Sequence, residues 1–215
     1  MHPVVCLITP SASGDTSGED ALVERVALAA RAGVQLIQIR QPARDARSLQ
    51  RAVARTLQSV IGTPARVLVN ERLDVALAAG AHGVHLRSDS MPAGRVRAVA
   101  PSGFLIGRSV HSADESERVV REGGLDYLLF GTVFTTPSKP GIVGVGAGAL
   151  AAACSRVSLP VIAVGGMEPR HLGSVCRSGA AGWAAIRLFA DPAPEALEAV
   201  VSNARSAFDS LGGLP

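Results

Sequence analysis

One local pattern constrains this chain more than any other. A stretch of small residues reaches a glycine and is followed at once by a short, unbroken apolar run. It occurs at residues 32–40, 79–86, 123–130 and 178–186. Glycine suits the position just past a helix because it enters the left-handed region without a Cβ penalty. The apolar runs are continuous, not alternating, as expected for strands of a parallel sheet covered on both faces. Val4–Ile8, Val67–Val69, Phe104–Ile106 and Val161–Val164 add further strand candidates, making eight.

Helical periodicity fills the intervals. Leu22, Val23, Val26, Ala27 and Ala30 form one apolar stripe, with Ser17 and Asp20 spaced as a capping box. Leu49, Val53 and Leu57 form a second stripe, and Val75–Ala79 a short third helix. Pro92 opens a fourth, since its fixed φ fits a first helical turn. Ser112 and Glu115 form another capping box ahead of Val119 and Val120, and helices are expected near 147–155, 169–178 and 192–209. Eight strand–helix units predict an α/β fold, a single (β/α)8 TIM barrel of the phosphate-binding type over residues 1–215. A doubly wound open sheet is the alternative. No interdomain linker is visible.

Composition excludes several classes. Hydrophobic residues make up 47% and charged residues 18%, which indicates a large core and argues against disorder. A net charge of +3 with no basic run gives no footprint for nucleic acid. No apolar stretch is long enough to span a membrane. Met1-His2-Pro3 leads into a short apolar run without a basic region, so no signal peptide is expected. Cys6, Cys154 and Cys176 lack ligand spacing and read as reduced thiols of a cytoplasmic protein. Oligomeric state is open, a homo-oligomer included.

The barrel reading locates chemistry at the C-terminal ends of the strands. Arg40 follows the second strand, Asn70-Glu71 the third, and His85 through Asp89 the fourth. Gly107-Arg-Ser-Val-His111 follows the fifth, Gly165-Gly166 the seventh, and Ile186-Arg187 the eighth. The loop after the sixth strand carries Thr135, Thr136, Ser138 and Lys139. Of the 21 Lys and Arg residues Lys139 alone is lysine, a compact charge among hydroxyls and glycines. That loop, with the seventh and eighth strand ends, reads as a site for a phosphorylated small molecule. Blander roles compete: a rim ion pair for Arg40, capping of the third helix for Asn70 and Glu71, and a structural role for His85. His82 and His171 read as surface residues.

These segments resemble the thiamine-phosphate synthase and thiazole tautomerase superfamily. The resemblance rests on Gln38-Ile-Arg40, Val69-Asn70, Gly83-Val-His-Leu86, Gly107-Arg-Ser-Val-His-Ser112, Gly131-Thr-Val-Phe-Thr-Thr-Pro-Ser-Lys139 and Val161-Ile-Ala-Val-Gly-Gly166. It implies a phosphate-binding TIM barrel. The implied lead activity is a synthase that joins hydroxymethylpyrimidine diphosphate to thiazole phosphate and releases pyrophosphate. It further implies that Arg40, Asn70, Ser109 and Lys139, with Gln38, serve the pyrimidine diphosphate. Thr136, Ser138, Gly165, Gly166, Ile186 and Arg187 would hold the thiazole phosphate. Glu71 and Asp89 would hold Mg²⁺.

Four positions depart from the family pattern. Arg40 is followed by Gln41-Pro42, where the synthase has Glu-Lys, and Asn70-Glu71 stands for Asn-Asp. Asp89 lies four residues after His85, not five. The tautomerase histidine after the sixth strand is Thr132 here, which leaves His111 as the proton carrier of a tautomerase alternative. A non-catalytic binder of thiazole or thiamine phosphate is the third reading.

Overall fold

The computed structural model describes residues 3–11, 16–136 and 141–212, and leaves aside the side chains of residues 16, 17, 194 and 209–212. The expectations for Ser17, Ser138 and Lys139 therefore fall outside the described residues.

The chain alternates strand and helix: β1 (Val4–Ile8), α1 (Thr16–Arg31), β2 (Leu36–Ile39), α2 (Ala46–Ser59), β3 (Arg66–Asn70), α3 (Leu73–Ala78) and β4 (Gly83–Leu86). It continues with α4 (Ala93–Arg97), β5 (Leu105–Val110), α5 (Ala113–Glu122), β6 (Tyr127–Phe130), α6 (Gly146–Arg156) and β7 (Val161–Val164). It ends with α7 (Leu172–Arg177), β8 (Gly182–Ala185), α8 (Arg187–Ala190) and α9 (Leu197–Gly212). All eight strands are parallel, and β8 pairs back onto β1 with Val4 opposite Gly182. That closure excludes the open sheet.

Each strand buries both faces, which is why the runs are unbroken. Outward residues such as Val5, Leu7, Ile37, Val69, Val84 and Phe130 pack under the helices. The alternate set, Cys6, Ile8, Leu36, Leu68, Tyr127, Leu129, Ile162 and Ala184, fills the barrel. Helix α2 shows the local logic on the outside. The Asp45 carboxylate accepts from the Ser48 N–H at 2.8 Å, and Leu49, Ala52, Val53 and Thr56 form one buried face.

Some boundaries differ from the sequence reading. β5 runs through Val110, so Arg108 and Ser109 belong to the strand, paired with Leu128 and Leu129. Hydropathy stops at Ile106, whereas backbone pairing with both neighbours continues. Pro92 occupies the N-cap of α4 rather than its first turn, and α3 begins at Leu73. Ser112 does cap α5, accepting from the Glu115 N–H at 3.1 Å, but the Glu115 carboxylate reaches the His111 N–H instead of closing the reciprocal box. The short helix α8 was invisible to a periodicity argument because four residues hold barely one turn.

Candidate active site

Strand alternation selects the site residues. The inward positions of the barrel continue past the strand ends in the same parity: Gln38 to Arg40, Leu68 to Asn70, Ser109 to His111, Val164 to Gly166, and Ala184 to Ile186. All of these except Leu68 line a cavity of about 970 Å³ at the C-terminal mouth, together with His85, Glu71, Arg87, Thr132, Thr135, Thr136, Gly165 and Arg187. A pocket at the upper end of the small-molecule range leaves room for two small ligands side by side.

On the β2 side, Gln38 is buried and its Nε2 has no hydrogen-bond partner among the described residues. A buried amide donor aimed at a cavity calls for a ligand acceptor. Arg40 is anchored through its backbone N–H to Thr9 Oγ1 at 2.9 Å, and its guanidinium makes no ion pair among the described residues. The rim ion pair weighed for it is therefore not seen there. Gln41, at a departure from the family pattern, is structural: its Nε2 donates to the Pro10 carbonyl at 2.7 Å. Arg44 lines the cavity with its side chain 1% exposed, but pairs at 3.2 Å with the equally buried Glu19. Glu19 also receives Arg51 and Arg55 at 3.0 Å, which hold its carboxyl below the usual carboxylate range. The Arg44 charge is spent within the protein and does not replace the missing lysine.

Glu71 adopts φ 67°, a left-handed backbone that side-chain-bearing residues rarely accept. Its N–H donates to the His85 carbonyl at 2.9 Å, and its Oε1 accepts from the Arg87 N–H at 2.8 Å and from the Ser90 hydroxyl. The strained turn thus aims the carboxylate at the loop after β4. Neither Asn70 nor Glu71 caps α3, whose N-cap is Arg72 without a side-chain bond. Asp89 is differently placed. It is exposed, pairs with the Arg87 guanidinium at 2.8 Å, and does not line the cavity. The described residues hold no group of three or more His, Cys, Asp or Glu able to bind a metal alone. Mg²⁺ is commonly held by one or two carboxylates plus substrate phosphates, so the Glu71 carboxylate fits a metal carried largely by its ligand.

His85 is fully enclosed within the barrel. Its Nδ1 lies 3.1 Å from the Tyr127 hydroxyl and its Nε2 2.9 Å from Ser109 Oγ. Burial, aided by the nearby Arg108 guanidinium, lowers its pKa to about 3. The imidazole is therefore neutral at physiological pH. His111 sits at the mouth with its Nδ1 against the Gly131 carbonyl. A carbonyl only accepts, so Nδ1 carries the proton and Nε2 is the ring atom able to take one.

Across the cavity, the loops after β6 and β7 interlock. A Cβ on Gly166 would meet the carbonyl oxygens of Phe134 and Thr135 at 2.5 Å, and its φ is +62°. His171 Nδ1 lies 2.9 Å from the Gly166 carbonyl, and its ring stacks on Phe134 at 3.9 Å. His171, half-buried, thus braces the glycine turn rather than standing free on the surface. His82 is half-buried, its Nδ1 accepting from the Val67 N–H at 3.0 Å. Ile186 and Arg187 line the cavity where β8 passes into α8, and the Arg187 side chain pairs with Asp191, another lining residue, at 3.0 Å.

Sequence reasoning missed Tyr127, His171, Arg44 and Arg87. Being the one tyrosine of the chain, Tyr127 offered a signal; the other three offered none that set them apart from solvent-facing charged residues.

The thiamine monophosphate synthase family model matches residues 5–189. The chain belongs to that family. A putative thiamine-phosphate synthase of Geobacter sulfurreducens is 42% identical over 167 residues, 75% of this chain and 76% of the relative. The thiamine-phosphate synthase of Roseiflexus sp. is 38% identical over 197 residues, 87% of this chain and 82% of that one. Among solved structures, thiamine phosphate pyrophosphorylase from Pyrococcus furiosus superposes with a TM-score of 0.81 at 28% identity, covering 98% and 97% of the two chains. A 3-hexulose-6-phosphate synthase, at 17% identity and a TM-score of 0.72, shares the fold. Membership accounts for the order of the segments at successive strand ends, which no single motif would secure.

Proposed function

We propose that this family member is a thiamine-phosphate synthase acting in thiamine biosynthesis, joining hydroxymethylpyrimidine diphosphate to thiazole phosphate with loss of pyrophosphate. The observation that carries the reading is one cavity lined both by the polar residues at the ends of β2, β3 and β5 (Gln38, Arg40, Asn70, Glu71 and Ser109) and by Gly165-Gly166 and Ile186-Arg187 at the ends of β7 and β8. Two phosphorylated partners held side by side in such a cavity need little chemistry from the protein beyond orientation and charge.

In this reading Gln38 donates to a pyrimidine acceptor, while Arg40, Ser109 and Lys139 take the diphosphate as it departs. Thr136, Ser138 and the Gly165-Gly166 turn hold the thiazole phosphate and orient the ring nitrogen towards the carbon that loses pyrophosphate. Glu71 would hold Mg²⁺ together with substrate oxygens, and the metal would neutralise charge on the leaving diphosphate; Asp89, the second carboxylate expected there, pairs with Arg87 outside the cavity lining. Small phosphorylated substrates are the expected partners, and cytoplasm the expected compartment. No described helix is long and apolar enough to cross a membrane.

Calorimetry with pyrophosphate tests the proposal. Binding should tighten at least tenfold with Mg²⁺, and Glu71→Gln should abolish that difference. Binding indifferent to both, with thiazole phosphate still bound, overturns it. The His111 geometry supports a second reading, a thiazole phosphate tautomerase with Nε2 as proton acceptor. Isomerisation lost in His111→Asn, with thiazole phosphate binding intact, would favour that enzyme, and binding without either reaction the non-catalytic binder.

A further inference from the structure

The barrel interior contains a hydrogen-bonded chain that links three strands to the cavity. Strand register sets His85 of β4 opposite Gly107 of β5, and Gly107 opposite Tyr127 of β6. Gly107 carries no side chain, and a Cβ there would overlap the Tyr127 ring. Tyr127 therefore leans across β5 and brings its hydroxyl to His85 Nδ1, 3.1 Å away. Ser109 stands two residues beyond Gly107 on the same inward face, one layer closer to the mouth, and its Oγ meets His85 Nε2 at 2.9 Å.

Counting protons gives these bonds a direction. A buried tyrosine hydroxyl has one proton to donate, and His85 Nδ1 is its acceptor among the described residues. A neutral imidazole with a bare Nδ1 carries its proton on Nε2. Nε2–H then donates to Ser109 Oγ. The serine oxygen is already accepting, so its own proton is left to point elsewhere, and Ser109 lines the cavity. The opposite sequence would strand the tyrosine proton inside the barrel. Each accepted bond also polarises the next O–H and makes it a better donor.

We infer that Tyr127 and His85 are positioning residues which hold Ser109 as a fixed hydrogen-bond donor aimed into the cavity, towards an anionic oxygen of the diphosphate-bearing substrate. The target of the bond rests on the synthase reading; its direction does not. The glycine at 107, the lone tyrosine and the inward histidine form one device built over three strands.

Ring-nitrogen NMR of the full chain labelled with ¹⁵N-histidine tests the direction. His85 should show a protonated Nε2 and a bare Nδ1, and Tyr127→Phe, which keeps the ring packing, should shift the population towards Nδ1–H. A parent spectrum with Nδ1 protonated overturns the inference. Calorimetry with inorganic pyrophosphate tests the consequence. Ser109→Ala and Tyr127→Phe should each weaken binding by about three- to tenfold, the size expected for one hydrogen bond. Tyr127→Phe should add nothing in the Ser109→Ala background. His85→Gln, which keeps an N–H near the Nε2 position, should retain more binding than His85→Leu. Fully additive losses overturn the inference. If the parent binds no pyrophosphate, the synthase reading fails, and the ring-nitrogen spectrum still decides the direction of the chain.

Discussion

The Tyr127 ring occupies the space in which a side chain at Gly107 would sit. The two residues are register partners on β6 and β5, so neither strand has room to yield sideways. Gly107→Ala should therefore cost about 2–3 kcal/mol by overpacking. It should also reduce pyrophosphate affinity, because Tyr127 must leave His85 to make room. Urea unfolding with pyrophosphate titration checks both effects; parent-like stability would show that the ring is not confined.

Acid should weaken the fold through His85. The side chain has a folded pKa near 3, against about 6.5 when unfolded. Below pH 6.5 the unfolded chain gains a proton that the native state refuses. Stability is thus fully present above that pH and falls as pH drops towards 3, by up to about 1.4 kcal/mol per unit from this one group. Denaturant midpoints of the parent and His85→Gln between pH 7 and pH 4 should converge as pH falls. Parallel curves would mean that His85 is not the group responsible.

Gly166→Ala is expected to damage one half of the cavity only. A methyl group there meets two carbonyl oxygens at a backbone angle of +62° that alanine resists, so the turn must open. Thiazole phosphate affinity should fall at least tenfold, with pyrophosphate binding within about twofold of the parent. Equal losses for both ligands would argue against a divided cavity.

Glu19 should matter for stability. Its carboxylate, 2% exposed, receives Arg44, Arg51 and Arg55 and ties α1 to α2. Glu19→Ala leaves the Arg44 guanidinium buried against a cavity wall and should cost roughly 3 kcal/mol. Thermal unfolding measures this, and unchanged stability would mean that solvent replaces the carboxylate.

Lys139→Ala and Lys139→Arg address the loop after β6. Removing the ammonium should weaken binding of phosphorylated ligand by roughly ten- to a hundredfold, and the wider guanidinium should not restore it. Folding stability should change little in either variant. Parent-like binding and turnover in Lys139→Arg would reduce the lone lysine to an accident of composition.

The eight-stranded barrel was legible in residues 4–186 because its causes are local. A helix needs a glycine exit, and a strand covered on both faces needs an unbroken apolar run. The mouth followed from the barrel, and with it Gln38, Arg40, Asn70, Ser109 and Gly166, since each lies at or just beyond a strand end in the inward parity, with Gly165 at the turn between two such positions. What tertiary structure alone decided is how those groups are aimed. Asp89 sits four residues after His85 and turns to Arg87, while Glu71 takes a left-handed backbone to reach the same loop. Arg44 comes to the cavity wall already neutralised by a glutamate 25 residues earlier. His171 holds the glycine turn, and His85 is hydrogen-bonded to a tyrosine 42 residues away. Periodicity reports which face a residue occupies. It carries no information on which buried donor meets which acceptor, because that pairing is made between strands, across distances at which the sequence records only order.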